Sequence, residues 1–186
     1  MTRVIAGVAK GRRLATPEGR DTRPTADRAR EGLFSSVGSL LGSLEGARVA
    51  DFYAGSGAVG LEALSRGAEH ALLVESAPKA ARAIRENIAA LGLPGAELVV
   101  DRAERVTAER PAEPYDLVFA DPPYTVPDET VTALLEALRD NGWLAGDALV
   151  AVERASRGRT LVWPEGYTAE RDRRYGDAVF YYGSYL

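Results

Sequence analysis

Asp121-Pro122-Pro123-Tyr124 follows directly on the apolar run Leu117-Val118-Phe119-Ala120, which is short and bulky enough to be a buried strand. An acid, two prolines and an aromatic therefore leave a sheet together. Successive prolines supply no backbone donors and hold the chain extended. The Pro122 carbonyl and the Asp121 carboxylate can then point the same way as acceptors, with Tyr124 beside them as a flat wall. Such a corner suits a planar group carrying an exocyclic amine. That amine is a poor nucleophile, because its lone pair is delocalised into the ring. Two acceptors on its N–H bonds would draw the lone pair out of conjugation and let it attack an electrophilic carbon. A strand end with an incidental Pro-Pro turn would give the same four residues, so the decision rests on what lies upstream.

Upstream, Arg48-Val49-Ala50-Asp51-Phe52 reads as a strand, and Tyr53-Ala54-Gly55-Ser56-Gly57-Ala58-Val59-Gly60 turns into a helix through Leu61 and Leu64. A second strand, Ala71 to Val74, ends in Glu75, at about the 20-residue distance that separates such a loop from a ribose-binding acid. Gly55 and Gly57 let the backbone approach a ligand, and Glu75 can accept both hydroxyls of a ribose. Asp51 stands where a pyrophosphate would have to pass, which disfavours a nicotinamide dinucleotide. It suits a ligand with an ammonium group instead, and S-adenosylmethionine fits that description.

The elements that must position these groups alternate. Thr25 caps a helix that begins after Arg23-Pro24 and runs on Leu33, Phe34, Val37, Leu40, Leu41 and Leu44. A helix opens at Ser76-Pro78 and closes at Gly92. Leu98 to Val100 is a third strand, ending at Asp101-Arg102-Ala103. Tyr115 to Ala120 is a fourth, a helix follows from about Asp128 to Gly142, and Ala148 to Val152 is a fifth strand. Strands alternating with helices imply a mostly parallel sheet covered on both faces. Tyr167 to Tyr175 and Ala178 to Tyr182, separated by Gly176-Asp177, read as an antiparallel pair, and Arg3 to Ala15 as a small basic hairpin. Ligands of an open parallel sheet bind beyond the carboxyl ends of its strands. Asp51, Glu75, Asp101 and Asp121 are all expected on that one rim.

With 186 residues, 46% of them hydrophobic and 27% charged, the chain is expected to form a single domain, residues 1–186. Within it, 1–45 is expected to form an RNA-binding hairpin and helix extension and 46–186 the cofactor-binding catalytic core. No cysteine and one histidine, His70, leave nothing from which to build a zinc site. No run reaches the length of a membrane span, so a cytoplasmic monomer without membrane or metal is expected. Net charge is −4, yet residues 1–30 carry +5 and the remainder −9. A basic segment on an acidic body points to an anionic partner such as RNA. Arg3, Lys10, Arg12, Arg13, Arg23, Arg28 and Arg30 are its candidate contacts.

Arg23-Pro24-Thr25 with Asp27 and Arg28, Asp51 through Gly67, Asp121 to Tyr124, and Asn141-Gly142-Trp143-Leu144 together resemble the bacterial RsmD-type 16S ribosomal RNA guanine-N2 methyltransferases. The resemblance runs from the N-terminal hairpin to the last strand pair. It implies a Rossmann-like class I methyltransferase fold with a seven-stranded sheet, S-adenosylmethionine as donor, and ribosomal RNA, either naked or within an assembling small subunit, as partner. The reacting corner would be Asp121, Pro122, Pro123 and Tyr124. Cofactor contacts would come from Thr25, Asp51, Ala54, Gly55, Ser56, Gly57, Glu75, Asp101, Arg102, Ala103 and Asp121. Where relatives often place an acid or amide before the small residue after strand three, this chain has Arg102 before Ala103, so Asp101 can stand in for the adenine contact. A DNA amine methyltransferase shares the Asp-Pro-Pro-Tyr group and stays open as a second reading. A non-catalytic RNA-binding protein is a third, which leaves that group unexplained.

Overall fold

A computed structural model describes residues 2–17 and 24–186, with side chains for all of these except Pro24 and Thr25. A two-stranded hairpin, β1 (Thr2–Arg3) and β2 (Arg13–Leu14), comes first, and helix α1 (Pro24–Leu40) follows. Pro24 occupies the start of α1, where its missing donor costs nothing. The apolar pattern continues to Leu44, but the helix stops at Leu40 and Gly42 turns the chain at φ 93°. Leu44 still reaches the core, from the loop.

The main sheet is built from β3 (Arg48–Phe52), β4 (His70–Val74), β5 (Ala96–Val99), β6 (Tyr115–Ala120), β7 (Leu144–Ala155), β8 (Tyr167–Tyr175) and β9 (Ala178–Tyr185). Helices α2 (Ala58–Ser65), α3 (Pro78–Leu91), α4 (Ala103–Thr107) and α5 (Asp128–Asp140) connect the parallel strands. Strand order is β5-β4-β3-β6-β7-β9-β8, with β9 antiparallel between β7 and β8. The mostly parallel seven-stranded sheet and its antiparallel C-terminal pair agree with the sequence reading. The order reverses between β3 and β6, so the carboxyl ends of these two neighbours open a crevice. Two details differ from the expectation. The chain after Asp101 forms the short helix α4, and β7 is longer at both ends than Ala148 to Val152.

Strand residues alternate between two cores, as the pleat requires. Val49, Leu117, Phe119, Leu149, Ala151, Phe180 and Tyr182 face the side of α1, α2 and α3. Ala50, Phe52, Val118, Ala120, Val150 and Val152 face α5 and Trp143. By this alternation Asp51, Asp121 and Glu153 all fall on the α1 side, at the carboxyl ends of three adjacent strands. The hairpin docks on α2. Glu62, with no exposed side-chain surface, accepts the backbone N–H groups of Ile5 at 2.7 Å and Ala6 at 3.0 Å. Ser65 holds Ala9 and Ala6. A side chain at Gly7 would overlap the Ser65 carbonyl, so only glycine permits this contact.

No helix among the described residues is long and apolar enough to cross a membrane.

Candidate active site

β3 delivers Asp51 to the rim, 1% exposed, where one of its oxygens accepts the Gly60 N–H at 3.0 Å. Burial lifts its pKa well above the usual carboxylate value, the Gly60 hydrogen bond opposes this, and the nearby charges of Asp121 and Glu75 add to the rise. α2 lies close on β4, since a Cβ at Gly60 would stand 2.2 Å from the Leu73 side chain. Between β3 and α2 the glycine loop is held from both sides. Glu75, at the end of β4, accepts the Gly55 N–H at 2.8 Å through one oxygen and the Ala77 N–H at 2.9 Å through the other. Asn87 on α3 donates to the Ser56 carbonyl and also brackets Ala15. The expected 20-residue link between Gly55 and Glu75 is thus a hydrogen bond.

Asp51, Tyr53, Ala54, Gly55 and Ser56 line one side of a cavity of about 460 Å³, and Asp121, Tyr124 and Glu153 line another. A smaller cavity of about 120 Å³ is lined by Tyr53, Glu75, Ser76, Asp101, Arg102 and Ala103. Tyr53 borders both, at φ 58°, and its hydroxyl donates to Glu104 at 3.3 Å. Burial and that carboxylate push the phenol up to about 12. Asp101 accepts the Arg102 N–H, while the Arg102 side chain is exposed. This arrangement fits an elongated nucleoside ligand with cationic groups. A tight glycine turn leaves the approach clear, Glu75 has the lone pairs to receive ribose hydroxyls, and the charges of Glu75 and Asp121 both act on Asp51.

The Asp121 N–H donates to the Phe52 carbonyl at 3.3 Å, tying β6 to β3 just below the crevice. Pro122 is buried, Pro123 is exposed, and the Tyr124 ring is about half exposed at the mouth. Arg154, itself buried, clamps this loop. It donates to the carbonyls of Pro123 (3.4 Å) and Val126 (2.8 Å) and pairs with Asp128 at 3.1 Å. Ala120 lies opposite Val152 and Glu153 opposite Phe180. Glu153 therefore arrives beside Asp121, lining the same cavity, with Asp121 and Tyr124 as the side chains within hydrogen-bonding reach of its carboxyl. Burial first, then the adjacent Asp121, pushes its carboxyl up to about 9.

The N-terminal cations divide. Arg3, Lys10, Arg12, Arg13 and Arg28 have exposed side chains, and Arg12 donates to the Ala90 carbonyl at 2.6 Å. Arg30 departs from the expected RNA contact. Its guanidinium is 6% exposed, pairs with Glu62 and Asp27, and donates to the Arg3 carbonyl. It fastens α1 to the hairpin through the Arg3 carbonyl and adds a second cation beside Glu62, which Arg66 already pairs. Arg23 and the side chain of Thr25 lie outside the described residues. Sequence reasoning missed Glu153 and Tyr53, and it offers Arg154 only as a further candidate RNA contact beside Arg157 and Arg159, whereas the structure buries it as the clamp of the Asp121 loop. The available signal for Glu153 was a charged residue inside an apolar strand, on the same pleat face as the apolar Leu149 and Ala151.

A family model described as conserved hypothetical protein 95 matches residues 2–184. The chain belongs to this family. Ribosomal RNA small subunit methyltransferase D of Escherichia coli K12 is 35% identical over 180 residues, 96% of this chain and 87% of the relative. The protein of the same name from Haemophilus influenzae is 30% identical over 179 residues, 94% of this chain and 89% of its own length. The solved structure of the E. coli protein yhhF superposes with a TM-score of 0.85 at 33% identity, covering 99% of this chain and 97% of that one. In this member of the conserved hypothetical protein 95 family, the acidic rim, the glycine loop and the Asp121 loop thus belong to a fold shared over nearly its whole length.

Proposed function

We propose that this chain methylates the exocyclic N2 amine of one guanine in small-subunit ribosomal RNA, acting in the cytoplasm. It is an S-adenosylmethionine-dependent ribosomal RNA methyltransferase of the RsmD type, and the guanine N2 target is the finer reading. The observation that carries the chemistry is that Asp51, the glycine loop, Asp121 and Tyr124 line a single cavity.

When bound, S-adenosylmethionine supplies a sulfonium-borne methyl group, which bonds to N2 as its bond to sulfur breaks and that electron pair returns to sulfur. Asp51 would hold the cofactor's ammonium group and Glu75 its ribose hydroxyls, with Asp101 and Arg102 at the adenine end. Tyr124 would stack the guanine, a contact worth about 1–3 kcal/mol. The Asp121 carboxylate and the Pro122 carbonyl would accept the N2 hydrogens, freeing the lone pair. Asp121 would then take the proton that N2 loses and release it to water. Hydrogen bonds to a charged acceptor contribute about 1.5–3 kcal/mol each, and fixing the amine in line with the methyl group adds more. No covalent enzyme intermediate is required.

The test uses methyl-labelled cofactor with small-subunit RNA, naked and as assembled particles, prepared from a strain lacking the enzyme. Nucleoside analysis should find the label as N2-methylguanosine at one position. Label on another nucleoside, or on the adenine or cytosine amines of DNA, would overturn the guanine reading.

A further inference from the structure

Glu153 is a largely buried carboxyl at the mouth, and the reaction as described assigns it no part. β7 places it one step beyond the Ala120 and Val152 pair, on the same pleat face as Asp121 and Asp51. Phe180 of β9 covers its other flank, Tyr124 stands above, and Asp177 enters from the turn between β8 and β9. The neighbouring cations are committed elsewhere: Arg154 to the carbonyls of Pro123 and Val126 and to Asp128, Arg30 to Glu62 and Asp27. The titratable groups acting directly on Glu153 are Asp121 and Tyr124.

We propose that Glu153 is a positioning residue for methyl transfer, holding the Asp121 carboxylate and the Tyr124 hydroxyl in the geometry that receives the guanine. The inference rests on the function proposed above. Two carboxyl groups in hydrogen-bond contact cannot both be charged without strong repulsion, so they share one proton. Glu153 keeps it, because its burial and the adjacent Asp121 together push its carboxyl up to about 9. Its O–H donates to one Asp121 oxygen, leaving Asp121 charged and its other oxygen directed to the amine. Tyr124 in turn donates to Glu153, which holds the stacking ring in place. Asp121 alone could rotate away from the amine; with Glu153 it has one orientation.

The experiment compares Glu153→Gln and Glu153→Ala with the wild type. Carbon-13 NMR of labelled Asp and Glu carboxyls, recorded without RNA, should show Asp121 and Glu153 of the wild type titrating in two widely separated coupled steps. In Glu153→Gln, Asp121 should titrate in one step. In single-turnover methylation Glu153→Ala should lose about 10- to 100-fold in rate, the scale expected of a misplaced reacting group. Its apparent affinities for RNA and cofactor should change by less than about threefold. Glu153→Gln, whose amide can donate to Asp121 and accept from Tyr124, should recover most of the rate at neutral pH. Identical Asp121 titrations in wild type and Glu153→Gln would overturn the proposal. So would a wild-type rate in a folded Glu153→Ala. A wild type that leaves guanine N2 unmethylated would overturn the function instead, since the NMR titration reads the Asp121 and Glu153 pairing without substrate.

Discussion

Asp51 is the residue at which the needs of the fold and of the site oppose each other. Its carboxyl is buried among other acids, and its pKa is raised above the unfolded value. Between the two values the folded chain holds a proton that the unfolded chain has released, so stability falls as pH rises through that window and the penalty is complete above the folded pKa. Asp51→Asn keeps an oxygen for the Gly60 N–H and removes the titration. Calorimetry should therefore find Asp51→Asn melting higher than the wild type at pH 8, with the gap closing toward pH 4. Isothermal titration should find weaker S-adenosylmethionine binding, the trade expected of a functional acid. An unchanged melting temperature at pH 8 would mean that Asp51 is not strained in the ligand-free fold. Residue identity made Asp51, Glu75 and Asp121 legible in the sequence, because each ends a recognisable apolar run. Glu153 was not legible, since its partner Asp121 is 32 positions away and meets it only through the register of β6 and β7. Arg30 misled for the complementary reason. A basic residue in a basic segment gives no sign that a buried Glu62 awaits it.

Among the elements, α2 connects the cofactor loop to the N-terminal arm. Its first residues follow the glycine turn, and its last turns carry Glu62 and Ser65, on which the hairpin is hung. The Glu62 carboxylate accepts hydrogen bonds from Ile5, Ala6 and Arg66 and forms an ion pair with Arg30 at 3.7 Å. Removing it leaves two backbone donors and a buried guanidinium poorly matched, and breaking a buried charged pair typically costs about 3–5 kcal/mol. Glu62→Ala should thus lower the denaturation midpoint, and limited proteolysis should clip the first 17 residues before the core. A midpoint equal to wild type with an uncut arm would show that other contacts suffice to dock the hairpin. The strand and helix sequence was readable because apolar periodicity and glycine or proline boundaries agree from β3 onward. Neither α4, only five residues long, nor the docking of the hairpin was readable. A helix that short has no periodicity to detect, and docking depends on a tertiary contact at Gly7.

At the scale of the molecule, the docked hairpin decides where its charge lies. Its tip packs on Ser65 at the far end of α2, a helix about 12 Å long, so Lys10 and Arg12 stand away from the Tyr124 mouth, and among the described residues of this arm it is the base, at Thr2, Thr16 and Pro17, that borders the cavity. Closer to the mouth are the exposed Arg157 and Arg159, in the loop that the Ser156 N–H fastens to the Asp177 carbonyl at 2.8 Å, and Arg174, whose side chain donates to the Gly176 carbonyl. If RNA spans both groups, phosphate contacts release counterions, and for single-stranded RNA each contact contributes about −0.7 to the log-log salt slope. Replacing Lys10, Arg12 and Arg13 together by Ala should then flatten the slope by about 2 units when all three engage. Cofactor affinity should stay unchanged, because the three side chains lie outside the cavity. A triple variant that keeps the wild-type slope and RNA affinity would place the RNA on the mouth group alone. In that case Arg157→Ala, Arg159→Ala and Arg174→Ala combined should produce the loss instead.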